Sequence, residues 1–189
     1  MSTHDTPLHP TFEVLAVMRM SPLLEPLLRA QCTVHDRLHE SDPAAFEAVA
    51  PRIRGIAASG ESKVGADLMD RLPALEIISV MGVGYDGIDV AAAKARGVVV
   101  THTPDVLNDD VADLALALML AGSRQIVAAD RYIRDGKWPG GPMPLARKLS
   151  GSRLGVVGMG RIGQAIARRA QAFDMPVAYH TRQPKPGLP

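Results

Sequence analysis

Short apolar runs alternate with short amphipathic stretches through the first hundred residues. Residues 13–18 form a run of strand type. Ser21 then precedes Pro22, a pair suited to a helix start, and Leu23, Leu24, Leu27 and Leu28 would form that helix's apolar face. Residues 31–34 read as a weak strand, 43–50 as a helix capped by Asp42, and 53–58 as a stronger strand. Ser62 is expected to cap a helix over 63–72, followed by a strand over 75–80. Asp89 would cap a helix over 90–96, Gly97 would stop it, and the β-branched run 98–101 closes the series. Strands alternating with helices predict a parallel sheet covered on both faces. Residues 12–103 therefore read as one α/β unit of flavodoxin-like pattern, with its ligands at the carboxyl ends of the strands.

Residues 103–110 are polar, with Asn108 or Asp109 placed to cap the next helix. That helix, 111–123, is apolar nearly all round, which predicts burial on most sides, as between two domains. Asp113 interrupts it, and it is too short to span a bilayer. A second helical segment over 124–136 leads into a Pro/Gly loop at 137–144. Trp138, the only tryptophan, reads as a packing or interface anchor rather than a substrate platform.

Residues 154–163, LGVVGMGRIG, join a short apolar run to an Ala-rich amphipathic stretch over 162–173. Gly158, Gly160 and Gly163 make G-x-G-x-x-G where a buried strand turns into a helix. Gly158 permits the tight turn, Gly160 lets a pyrophosphate approach bare backbone, and Gly163 lets helix and strand pack closely. The anion would rest on free amides at the positive end of the helix. A further strand at 176–179 completes β-α-β. The alternative, a purely structural glycine turn, lacks a reason for that context. An NAD site needs a carboxylate about 20 residues past the first glycine for the ribose 2′-hydroxyl. That position falls in His180-Thr181-Arg182, and the only acid between Arg161 and Pro189 is Asp174, before the strand. Arg182 offers a guanidinium fork to a 2′-phosphate and Thr181 a hydroxyl, so NADP is expected over NAD. The plainer reading of Arg182 is a solvated charge.

Lysines and arginines number 21 against 20 acids, which disfavours nucleic acid and anionic membranes as partners. Cys32 is the sole cysteine, so an intrachain disulfide and Cys-based metal sites are excluded, and a reducing cytoplasm is the expected compartment. The start, MSTHDTPLHP, lacks the basic-then-apolar order of a secretory signal.

A second glycine-rich turn, Met81-Gly82-Val83-Gly84-Tyr85-Asp86, directly follows the strand at 75–80. The Val83 and Gly84 amides could hold a carboxylate without any side chain. The same run reads equally well as an ordinary strand-to-helix turn. GVGYDGID, then THTPDVLNDDVAD, then LGVVGMGRIG, in this order, resemble the D-isomer-specific 2-hydroxyacid dehydrogenase family, and within it the NADPH-dependent glyoxylate/hydroxypyruvate reductases. The similarity runs from about residue 50 onward. It implies a flavodoxin-like substrate domain (1–105) followed by dimer-forming helices and the first β-α-β of a Rossmann cofactor domain (106–189). By position, Val83 and Gly84 resemble the backbone pair that holds the 2-oxo acid carboxylate. Gly158, Met159, Gly160, Arg161, Ile162 and Gly163 resemble the pyrophosphate turn, Thr181-Arg182 the 2′-phosphate discriminator, and Val111 a position near the nicotinamide. The helix at 111–123 and the arm through Trp138 resemble a homodimer-forming segment.

The family's catalytic Arg, Glu and His lie beyond the second Rossmann strand, and no residue here matches them. His102 and His180 stand at strand ends, outside the family's catalytic His context. The resemblance therefore implies a truncated reductase of a small 2-oxo acid, glyoxylate or hydroxypyruvate, inactive by itself. Two Rossmann strands alone would leave an open edge and an uncovered apolar face. The alternative is a non-catalytic nucleotide-sensing or dimerising module that kept the fold.

Overall fold

The computed structural model describes residues 12–183, 185 and 187, which form two compact units, one ending at Pro104 and the other beginning at Asp105. The leader at 1–11 and tail residues Pro184, Pro186, Leu188 and Pro189 lie outside the described residues.

In the first unit, strands β1 (Glu13–Ala16), β2 (Thr33–Asp36), β3 (Ile53–Ser59), β4 (Ile77–Met81) and β5 (Val99–Thr101) form one parallel sheet in the order β2-β1-β3-β4-β5. This is the flavodoxin-like strand order, which reverses direction between β1 and β3. Between the strands run helices α1 (Glu25–Arg29), α2 (Leu38–Ser41), α3 (Pro43–Val49), α4 (Ala66–Asp70) and α5 (Val90–Ala95). Alternate residues of a strand face opposite sides. Leu15, Ile56, Ala58, Ile78 and Val80 accordingly pack on one side, against Phe46 of α3, Met69 of α4 and Ala93 of α5. Val14, Ala16 and Ala57 face the other side, under Leu28 of α1 and Leu24 of the turn before it.

Two caps form as expected, because each needs only a partner three residues away. Asp42 accepts the Ala45 N–H at 3.0 Å, and Asp89 accepts the Ala92 N–H at 2.8 Å. Other expectations are corrected by longer-range contacts. The Ser62 hydroxyl accepts the Ser59 N–H at 2.8 Å instead of capping a helix; Val64 bridges to Ile88, and α4 starts only at Ala66, after Gly65. The helix after Ser21 is shorter than its leucines suggest, because residues 22–24 form a turn and Leu23 and Leu27 are exposed. The weak strand lies at Thr33–Asp36, two residues later than the apolar pattern places it, and α2 has no counterpart in that pattern. The sheet is not covered on both faces throughout: α1 covers only the β1 side of its face, leaving Met81 43% and Val99 56% exposed.

At the amino end of β1, Glu13 accepts from Arg52 Nε at 2.6 Å and pairs with His35 Nε2 at 2.8 Å. Desolvation pushes its carboxyl upward, but the hydrogen bonds and charges of Arg52 and His35 outweigh this and hold it below the ordinary 4.5. A carboxylate with a depressed folded-state pKa lends stability at pH values above its unfolded value and loses it as pH falls through the folded one. Thermal melts of Glu13→Gln against wild type between pH 6 and pH 3 should therefore show a gap that closes on acidification. A gap independent of pH would contradict the assignment.

In the second unit, helices α6 (Asn108–Ser123) and α7 (Ile126–Arg134) precede strand β6 (Leu154–Val157), helix α8 (Arg161–Gln171) and strand β7 (Val177–His180). Strands β6 and β7 pair in parallel, from Leu154 opposite Val177 to Val157 opposite His180. Helix α8 packs on α6, where Arg169 pairs with Asp109 at 2.9 Å and with Asp113. Neither Asn108 nor Asp109 caps α6: Leu107 holds the cap position, and the Asn108 amide donates to Asp105. Burial of α6 on most sides is likewise corrected, since only Ala112 and Leu116 are buried while Leu114 and Leu118 are exposed. Trp138, in a short 3-10 turn (Trp138–Gly140), is 60% exposed and anchors no core within the described residues. No single described helix is long and apolar enough to cross a membrane, although α6 and α7 together, bent by 56°, reach the length and composition.

Candidate active site

Two glycine-rich turns stand at carboxyl ends of parallel strands, one in each unit. In the first unit, β4 ends at Met81 and Gly82, Val83 and Gly84 come next. Because β5 lies beside β4, the residues after β5 meet this turn. The Thr103 N–H donates to the Gly82 carbonyl at 2.9 Å, and the Gly82 N–H donates to Thr103 Oγ1 at 3.1 Å. His102 Nδ1 lies 3.0 Å from the Val83 carbonyl oxygen, with the Tyr85 ring edge-on to the imidazole at 4.8 Å between centroids. Among the described residues, the Val83 and Gly84 amides have no protein acceptor. Unpartnered backbone N–H groups at a strand's carboxyl end form a site for an anion. Sequence reasoning finds Val83 and Gly84 but not the clamp of His102, Thr103 and Tyr85. The clue is positional: His102 is the first residue after a strand that neighbours β4.

In the second unit, β6 ends at Val157 and the turn Gly158-Met159-Gly160 leads into α8. Gly158 adopts φ of 97°, a left-handed value, and its N–H donates to the His180 carbonyl at 2.8 Å, tying the two strand ends together. A Cβ on Gly163 would stand 2.1 Å from the Gly158 carbonyl oxygen, so the helix approaches the turn as closely as backbone allows. Among the described residues the amides of Gly160, Arg161 and Ile162 have no protein acceptor, at the start of an 11-residue helix. Met159 is buried, and its carbonyl accepts from Gln164 Nε2 at 3.2 Å, which ties the turn to α8.

An open cleft of about 740 Å³ lies against this turn. It is lined by Val157, Gly158, Met159 and Gly160 from the end of β6 and the turn after it, and by His180, Thr181, Arg182, Gln183 and Lys185 from the end of β7 and the residues beyond it. Arg161, Ile162 and Gly163 lie just beyond the lining, in the first turn of α8, where Arg161 pairs with Asp105 at 3.0 Å. Val111, in the first part of α6, does not line the cleft. Sequence reasoning misses Val157, Gln183 and Lys185; Lys185 sits three residues past Arg182, in a stretch whose pattern is only Pro-rich. Among the described residues no acid lines the cleft, whereas Arg182 and Lys185 do. The free amides, the bare turn and the two cations fit a dinucleotide diphosphate and its ribose phosphate.

Residues 14–183 match the family described as "D-isomer specific 2-hydroxyacid dehydrogenase, catalytic domain". The 2-ketogluconate reductase of Gluconobacter oxydans (strain 621H) is 42% identical over 174 residues, covering 92% of this chain and 55% of that protein. A glyoxylate/hydroxypyruvate reductase A of Arabidopsis thaliana is 48% identical over 136 residues, covering 72% of this chain and 44% of that protein. The chain thus spans about half the length of the curated relatives it matches. Among solved structures, an NADPH-dependent glyoxylate/hydroxypyruvate reductase from Sinorhizobium meliloti, in complex with NADP and malonate, superposes with a TM-score of 0.81. It is 42% identical, covering 94% of this chain and 56% of that one. The parallel sheet, the glycine turns and these similarities converge: the chain belongs to the D-isomer-specific 2-hydroxyacid dehydrogenase family.

Proposed function

We propose that this chain supplies the substrate-carboxylate turn and the cofactor-diphosphate turn of an NADP-preferring reductase acting on a small 2-oxo acid such as glyoxylate or hydroxypyruvate. The observation that carries this reading is the pair of glycine turns, each at a strand's carboxyl end with unengaged amides. Val83 and Gly84 bind the substrate carboxylate through backbone N–H groups. Gly158 to Gly163 cradle the diphosphate, and Thr181 with Arg182 receives the ribose 2′-phosphate. NADPH, when bound, supplies the hydride. The names of the Arabidopsis and Sinorhizobium proteins support the substrate class, and the bound NADP of the latter supports the cofactor. Val111 near the nicotinamide and a homodimer through α6, α7 and Trp138 complete the proposal; exposed Leu114, Leu118, Ile133 and Trp138 support the latter. A reducing cytoplasm is the compartment that fits the single Cys32.

A polypeptide of these 189 residues is expected to bind NADPH and not to oxidise it with hydroxypyruvate. Reduction of a keto group needs a positioned proton donor. Among the described residues the shortest His–carboxylate contact, His35 with Glu13, involves the first residue of β1, at the end of the sheet opposite the Val83–Gly84 turn. NADPH absorbance with and without hydroxypyruvate checks this. Oxidation well above the blank would show that these residues include a working acid.

A further inference from the structure

Two successive peptide groups come after β4, Gly82–Val83 and Val83–Gly84. In both the carbonyl is engaged and the N–H is not, among the described residues. The described chain contains no cis peptide, and in a trans peptide the N–H points opposite to the carbonyl. Whatever holds the Val83 carbonyl therefore also sets the direction of the Gly84 N–H. That partner is His102 Nδ1, at 3.0 Å. A carbonyl oxygen only accepts, so Nδ1 carries the proton. The edge-on Tyr85 ring restricts the imidazole's own rotation.

The hold matters because the next residue is a glycine. Glycine tolerates both signs of φ, so a peptide that precedes glycine can turn over unless its carbonyl is pinned. Thr103 holds the Gly82–Val83 peptide by its carbonyl at 2.9 Å and the Met81–Gly82 peptide by its N–H at 3.1 Å, and has no hydrogen bond to the Val83–Gly84 peptide among the described residues. The hold on that peptide is the imidazole.

We propose that His102 is a positioning residue for the oxo acid: by donating from Nδ1 to the Val83 carbonyl it locks the Val83–Gly84 peptide with its N–H presented to the substrate carboxylate. This rests on the reading that Val83 and Gly84 bind that carboxylate, and the experiment separates the two. Amide spectra of the 15N-labelled 189-residue chain are recorded during titration with sodium glyoxylate, for wild type, His102→Leu and His102→Asn. Leucine removes the donor, whereas asparagine places an N–H donor where Nδ1 stood.

In wild type, the Val83 and Gly84 amide resonances are expected to move together with glyoxylate, and long-range 15N correlations to show the proton on Nδ1. In His102→Leu the Gly84 response should need about fivefold more glyoxylate, the scale of one lost hydrogen bond, while Val83, held through Thr103, changes less. His102→Asn should recover most of the Gly84 response. Equal Gly84 responses in wild type and His102→Leu, or a proton on Nε2, would overturn the role of His102 and leave the carboxylate reading standing. A wild-type titration that moves neither amide would overturn both. Should His102→Leu lose its dispersed spectrum, the comparison of His102→Asn with wild type and the Nδ1 proton still decide: a proton on Nδ1 with a retained Asn response supports the role, and its absence overturns it.

Discussion

Gly163→Ala is expected to weaken NADPH binding by at least about tenfold and to lower the melting temperature, although alanine favours helix over glycine by roughly 1 kcal/mol. The sign reverses because of one contact. The new Cβ would meet the Gly158 carbonyl oxygen at 2.1 Å, and that oxygen belongs to backbone at a left-handed position, with its residue tied to His180. Relief requires α8 to draw back from the turn, which moves the amides of Gly160 to Ile162 away from the diphosphate. Gly122→Ala is the matched control: it lies within α6, its Cβ would meet nothing within 4 Å, and it should stabilise slightly. Calorimetric melts and titration of NADPH fluorescence read both effects. If Gly163→Ala melts and binds like Gly122→Ala, the close approach is not what shapes the site.

Arg182→Ala should erase most of the preference for NADPH over NADH. A hydrogen bond to a charged group contributes about 1.5–3 kcal/mol, so the ratio of the two dissociation constants should fall by roughly ten- to a hundredfold. NADH binding should change little, because Arg182 stands beyond β7, apart from the turn before α8 that is proposed to hold the diphosphate. Lys185 lines the same cleft and leaves a residual preference in the variant, one that diminishes with added salt. Competitive titration with both cofactors provides the check. Equal losses for NADPH and NADH would place the contribution of Arg182 somewhere other than the 2′-phosphate.

Elements whose causes are local are legible in the chain. Asp42 and Asp89 cap helices through partners three residues away, and the glycine spacing from Gly158 to Gly163 places a tight turn between strand and helix. Ser62 misleads because its hydroxyl serves Ser59, and Val64 bridges to Ile88, 24 residues on. Helix α6 misleads because an all-apolar sequence reports what a helix can cover, whereas its exposure depends on which partners are present.

At the two turns the division is the same. The sequence alone determines that a glycine-rich turn follows an apolar run at Gly82 to Gly84 and again at Gly158 to Gly160, since residue type and spacing are enough for that. Only the tertiary structure decides which of their amides stay unengaged. Strand β5 lies beside β4 in the order β2-β1-β3-β4-β5, and this brings His102 and Thr103 to the carbonyls of Val83 and Gly82. A hydrogen bond between residues 19 positions apart results from strand order, which short-range pattern does not encode.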